Sequence, residues 1–212
     1  MKQDMLISMY ETSIPHFVLM LDNLSSILDK SSLYAKTKEI DEQVLIDARL
    51  APDMYPLSQQ IRIVTNMAKA CAARLAGLEI PRYEDNEVTF ADYKARIAKT
   101  VAFLQSLNAD QINGSEARTV TIKMYDKEVM YSGKHYLFNI IIPHFYFHVT
   151  TAYAILRHHG VELGKKDYIN NELRKSVYKS ISIPTGQWSD PVISGRIKAS
   201  LIFSVNPWLA NT

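Results

Sequence analysis

From Ser13 to Ser31 the apolar residues Phe17, Leu21, Leu24 and Leu28 recur at helical spacing, with Asp22, Asn23 and Asp29 between them. That period predicts an amphipathic helix. Ser13 is placed to cap it, Pro15 suits its first turn, and residues 5 to 12 have room for an earlier, kinked turn. A second helix is marked by Pro56 at its start, by Leu57, Ile61, Val64, Ala68, Cys71 and Leu75 on one face, and by Gly77 as its stop. In a third, the Thr89 hydroxyl caps the start with Asp92 answering, and Phe90, Tyr93, Ile97, Val101 and Leu104 follow until Asn108. The fourth spans Tyr136 to His159 and is apolar around most of its circumference, so it belongs deep in a core. Pro143 falls inside it and removes a backbone hydrogen bond, so either the helix kinks there or its regular part begins near Ile142.

Between the third and fourth helices the period changes to two. Val120, Ile122 and Met124 alternate with polar residues, and Val129 and Tyr131 resume the alternation after Tyr125-Asp126-Lys127-Glu128, which predicts a small β-hairpin. The link from Ser32 to Tyr55 is long and holds a short helix near Asp41 to Ala48. Its length suits a journey back along the body, because a twenty-residue helix is about 30 Å long. The pattern as a whole predicts an all-α four-helix bundle with crossover connections, or else an irregular helical array.

Beyond Lys166 the pattern fades. Residues 170–212 contain Pro184, Pro191, Pro207, Gly186 and Gly195, two tryptophans, and one short apolar run at Leu201-Ile202-Phe203. The expectation is a bundle over residues 1–169 and a C-terminal extension, 170–212, that is poorly packed or disordered.

Composition narrows the function classes more than it names one. The 212 residues carry 24 Lys and Arg against 22 Asp and Glu, a net +2, which gives no footing for nucleic acid or an anionic membrane as partner. Cys71 is the single cysteine, so an intrachain disulfide framework and a multi-cysteine zinc site are excluded and a reducing compartment is the default. No window is apolar enough to span a bilayer, and Asp4 stands where a secretory signal needs basic residues. The expected location is cytoplasmic.

The sequence holds no phosphate loop and no nucleophile elbow, which leaves six histidines as candidates for chemistry. His144 and His148 stand one helical turn apart, on a stripe with Leu137, Ile141, Ala152 and Ile155 that predicts both rings facing inward. Such a pair either clamps one metal ion or consists of two core imidazoles bonded to hydroxyls such as those of Tyr10, Tyr55 and Tyr93. Two ligands do not complete a zinc site; His16, in the first helix, is either a third ligand or an ordinary first-turn histidine. Gln60 brings an amide to the inward face of the second helix, as part of a polar pocket or as a boundary residue bonded to a loop. His158 and His159 end the fourth helix, where a protonated ring suits the dipole. His135 has no evident partner in sequence, and Cys71 reads as a small core residue.

The stretches Ala48-Arg49-Leu50-Ala51-Pro52-Asp53-Met54-Tyr55-Pro56-Leu57, Ala73-Arg74-Leu75-Ala76-Gly77, Thr89-Phe90-Ala91-Asp92-Tyr93, Ala95-Arg96-Ile97 with Lys99-Thr100, and His144 to Gly160 resemble the domain-of-unknown-function family numbered nineteen ninety-three. That family is similar to the DinB and YfiT-like bundles. The resemblance covers about residues 5 to 168 and implies four helices in up-up-down-down order, with association into a homodimer. It also implies a divalent metal, such as zinc or nickel, held by three histidines. His144 and His148 match the pair on the last helix, followed by Leu156-Arg157 and Gly160. The second helix has Gln59, Gln60 and Arg62 where the family's first ligand is expected.

Three functional readings follow. The preferred one is a small molecule bound or converted in an apolar pocket by His144, His148, Gln60 and His16 without a tightly bound metal. The second is a DinB-like divalent-metal hydrolase or transferase using His144 and His148. The third is a non-enzymatic oligomeric bundle.

Overall fold

In the computed structural model, residues 8–124 and 126–169 are described. The expected extension, with Trp188, Trp208 and the run at 201–203, lies outside them. The element order is α1 (Ile14–Thr37), α2 (Glu42–Ile46), α3 (Leu57–Ala76), α4 (Phe90–Gln105), α5 (Ala109–Ile112), β1 (Thr119–Met124), β2 (Lys127–Ser132), α6 (Gly133–His135), a π-helical turn (Tyr136–Ile141), α7 (Ile142–His158) and α8 (Lys165–Ile169).

Helices α1, α3, α4 and α7 form the bundle. Phe17, Leu21, Leu24 and Leu28 of α1 meet Ile61, Val64, Ala68 and Leu75 of α3, Tyr93, Ile97 and Leu104 of α4, and Phe145, Val149 and Ala152 of α7 in one core. Burying a large apolar side chain is worth about 1.5–3 kcal/mol, so this core is the main favourable contribution to folding.

The cap residues behave as their chemistry requires at three ends. Thr89 and Asp92 make a full capping box on α4, Asp41 accepts from the Gln43 amide at α2, and Gly77 closes α3 in the left-handed conformation at φ 71°. Ser13 does not cap α1. Its hydroxyl donates to the Met9 carbonyl at 2.6 Å, because a turn precedes the helix and offers a nearer acceptor. Asn108 lies past the end of α4, where it caps α5 in a second capping box. The hairpin pairs Thr119 with Ser132 through Met124 with Lys127, so Lys127 and Glu128 belong to β2 rather than to the turn.

The helix directions differ from the up-up-down-down expectation. Gln60 meets His148 and Arg74 meets Tyr136, so α3 and α7 are antiparallel. Arg62 lies over Tyr93 while Arg96 reaches Thr65 and Asn66, so α3 and α4 are parallel. Phe17 packs against Phe145 and Tyr34 packs on Gly160, so α1 runs with α7. The order is therefore up-down-down-up. The first link does not carry the chain back along the body: α1 continues to Thr37, and α2 and turns take up the remainder. Residues 78–88, which have no hydrophobic period, are the crossover; they run outside α3 and α4 as a strap.

Pro143 does not break the fourth helix, and the regular α-helix begins at Ile142, as the second of the two alternatives expected. Residues Gly133–His158 are continuously helical, and the π turn ends just ahead of Pro143. A proline ring crowds the carbonyl four residues back and gives it no N–H, and a widened turn at that point relieves both defects. The π turn also advances fewer degrees per residue, which rotates the buried face of α7. Leu137 and Ile141 remain buried, and the stripe then continues through Phe145, Val149, Ala152 and Leu156.

Candidate functional site

The rotation of the buried face decides what the histidine pair can do. His144, expected to face inward, is exposed, and His148 stands half-buried at the edge of the core. A regular helix through residue 137 would have carried both inward; the π turn sends the first to the surface.

Across from His148, Gln60 of α3 is buried and its amide is oriented by two bonds. Its Nε2 donates to the Tyr55 carbonyl at 3.0 Å, and its Oε1 lies 2.6 Å from His148 Nδ1. A backbone carbonyl only accepts, so the amide nitrogen must face Tyr55 and the amide oxygen must face the histidine. That oxygen only accepts, so the Nδ1 of His148 carries the proton. When the ring is neutral, Nε2 is left with its lone pair. Burial, and then the neighbouring His144, hold the His148 pKa below its ordinary 6.5, so the neutral ring prevails at pH 7. Phe147 packs edge-on to His148 at 5.2 Å between centroids and is itself exposed, which gives the edge of the site an apolar surface.

His16 could serve as a third ligand only if its turn lay level with the pair and its ring reached both rings. The Phe17 and Phe145 rings pack at a tilt, 4.8 Å between centroids, so the first turn of α1 lies level with the histidine pair. The His16 ring is exposed, however, and its Nδ1 lies 3.0 Å from the Glu11 carbonyl. Among the described residues no three His, Cys, Asp or Glu side chains come together as a metal site. The donors do not fit the three-histidine metal of the resemblance: one ring is engaged by an amide, one is on the surface, and the facing position on α3 is Gln60, a weak ligand for zinc or nickel.

Two of the other histidines make local contacts. His159 Nδ1 lies 2.8 Å from the Ile155 carbonyl and so closes the last turn of α7. His135 stacks on Tyr131 at 5.1 Å and accepts from the Asn139 amide. Cys71 is fully buried, which pushes its thiol pKa up and leaves it inert.

Sequence reasoning passed over the ionic network between α3, α4 and the strap. Arg96, its side chain 2% exposed, donates to Thr65 Oγ1 at 2.7 Å, to Asn66 Oδ1 at 2.9 Å and to Glu87 Oε1 at 2.5 Å, and it also pairs with Asp85. Arg62 bonds the second oxygen of Glu87 at 2.8 Å. Burial pushes the Glu87 carboxyl up, but the bonds from Arg96 and Arg62 outweigh it and hold the carboxyl below its usual range. Arg62 and Arg96 sit at polar positions of otherwise amphipathic helices, and the strap that completes the network has no period to announce it.

Residues 9–169 match the family described as Domain of unknown function (DUF1993). Among solved structures, a DinB family member protein from Shewanella denitrificans is similar, with 38% identity and a TM-score of 0.68 over 76% of this chain and 90% of that one. No curated protein matches the chain. The shared bundle and a match over most of the sequence place the chain in the DUF1993 family, with a DinB family member as its structural relative.

Proposed function

We propose that the bundle binds a small molecule carrying a hydrogen-bond donor at the edge between α3 and α7, with His148 Nε2 as the accepting group and no tightly bound metal. The observation that carries this reading is the relay from His148 through Gln60 to the Tyr55 carbonyl. It spends two partly buried bonds on holding one imidazole in one tautomer, and a purely structural histidine does not need its free nitrogen left as a base. A phenol, alcohol or amide N–H could bond that nitrogen, and the exposed faces of Phe147 and Tyr55 offer apolar contact for its body. If the ligand is also converted, the same nitrogen is the group able to take a proton from it.

Two further expectations belong to the same reading. The chain acts as a homodimer, as the resemblance implies, and in the cytoplasm; no described helix is long and apolar enough to cross a membrane.

The experiment is a titration of the full chain with small phenols, alcohols and amides, observed at the ring nitrogens of His148 by nuclear magnetic resonance. A saturable shift of Nε2, lost in Gln60→Leu where the tautomer is no longer fixed, supports the reading. Probes that move only exposed rings such as His144 and His158 contradict it.

A further inference from the structure

A second place on the molecule holds a nearly buried cation that rests on an aromatic ring rather than on a carboxylate. Lys69, on α3 one turn beyond Thr65, is 5% exposed, yet its ammonium makes no hydrogen bond and no direct ion pair among the described residues, with Asp85 attracting it only from a distance. Its Nζ lies 3.6 Å from the centre of the Tyr83 ring, a residue of the strap. The ring is attractive to a cation, but it accepts none of the three N–H bonds in the way an oxygen would. Tyr83 is crowded from other sides as well, with Lys99 Nζ at 4.4 Å and the Arg96 guanidinium at 5.4 Å from the same centre. The Tyr83 hydroxyl is also closed off from water and has no partner. The Tyr83 hydroxyl is thus a buried group that nothing in the fold satisfies, and beside it stands an ammonium held only by an aromatic ring.

Lys69, Tyr83 and Arg82 line an open groove of about 620 Å³ between α3 and the strap. Ala70, Ile80 and Pro81 supply an apolar wall. We propose that this groove binds a small molecule through one oxyanion group, a carboxylate or a phosphate, seated against Lys69, with Arg82 at the rim and its body along Ile80 and Pro81.

Charge accounting favours a single oxyanion over a polyanion. The cations of Arg62 and Arg96 are taken up by Glu87 and Asp85, leaving Lys69 and Arg82 to line the groove, with Lys99 near the Tyr83 ring, against an exposed Glu79 on its lip. A second negative group would meet Glu79. Burial, and then repulsion from Arg96 and Lys99 that exceeds the attraction of Asp85, pull the Lys69 pKa down, and a bound oxyanion would reverse that. The groove is separate from the His148 edge in its residues and in its chemistry.

The test is a titration of the full chain with inorganic phosphate and, separately, with acetate, reading the Lys69 Nζ and Cε resonances and the melting temperature. A saturable shift at Lys69 with a rise in melting temperature is expected from one or both probes. Phosphate alone would identify a phosphoryl ligand, acetate alone a carboxylate, and both a general oxyanion site. Lys69→Met keeps the aliphatic stem and should weaken binding at least tenfold, about 1.4 kcal/mol. Arg82→Ala, at an exposed rim position, should weaken it several-fold without affecting the fold, and it decides the matter if the Lys69 variant fails to fold. No saturation at Lys69 by either probe, or affinities unchanged in Arg82→Ala, would overturn the proposal.

Discussion

His148 Nδ1 lies 2.6 Å from Gln60 Oε1, joining two helices whose residues stand 88 positions apart in sequence. Because the Gln60 amide nitrogen is already committed to the Tyr55 carbonyl, the contact has one chemically consistent direction, from the histidine to the glutamine. Gln60→Leu removes the acceptor and the tie to Tyr55 at once. It should cost about 1–3 kcal/mol in urea unfolding, the usual penalty for stranding a buried donor. Alongside that loss, the His148 ring should become a mixture of tautomers.

Acid should expose the same group. The folded His148 has a pKa below 6.5, so the unfolded chain takes up the proton first as pH falls. Its contribution to stability is complete above pH 6.5 and is lost as pH drops from there through the lower folded value. His148→Gln should flatten the stability profile in that window. Urea midpoints measured from pH 7.5 down to pH 5, at steps of about half a unit, would show the difference.

A separate, more acidic loss belongs to Glu87. Its folded pKa is below the ordinary 4.5, so its contribution is present above that value and disappears as pH falls below it. Glu87→Gln should cost about 3 kcal/mol at neutral pH, since it leaves Arg96 buried with only the exposed Asp85 as counter-charge. Equal stability of variant and parent at pH 7 would mean the network is held by its neutral bonds alone.

Gly133 is required where the hairpin enters the last helix. A Cβ there would fall 2.1 Å from the Ser115 carbonyl oxygen, a backbone atom with no room to withdraw. Gly133→Ala should destabilise by about 1–3 kcal/mol in denaturant unfolding, with the loss reflecting overpacking rather than helix propensity, which alanine improves.

Much of the bundle is legible because its signals are local. The stripe from Leu57 to Leu75, the Thr89–Asp92 capping box and the left-handed Gly77 each report on their own turn of chain. The inward placement of His144 failed because a period of 3.6 was carried through Tyr136–Ile141, where the chain forms a wider turn. Helix direction failed because a long link permits a crossover without requiring one, and the real crossover at residues 78–88 shows no periodicity. At the site, Gln60 stood out as an amide on an apolar face, whereas its partner is a backbone carbonyl at Tyr55, and no side-chain pattern reveals that. Lys69 and Tyr83 come together only when the strap folds over α3, a non-local contact invisible to any window of sequence.

The most direct test is the long-range proton–nitrogen spectrum of the His148 ring at pH 7, recorded on protein purified without an affinity tag, before and after addition of zinc and then of a chelator. The account predicts a neutral ring with Nδ1 protonated and Nε2 bare, and a spectrum that neither additive changes in stoichiometric fashion. A ring protonated on Nε2, or an Nε2 resonance that moves with one equivalent of zinc and returns with the chelator, would contradict it and restore the metal reading for His144 and His148.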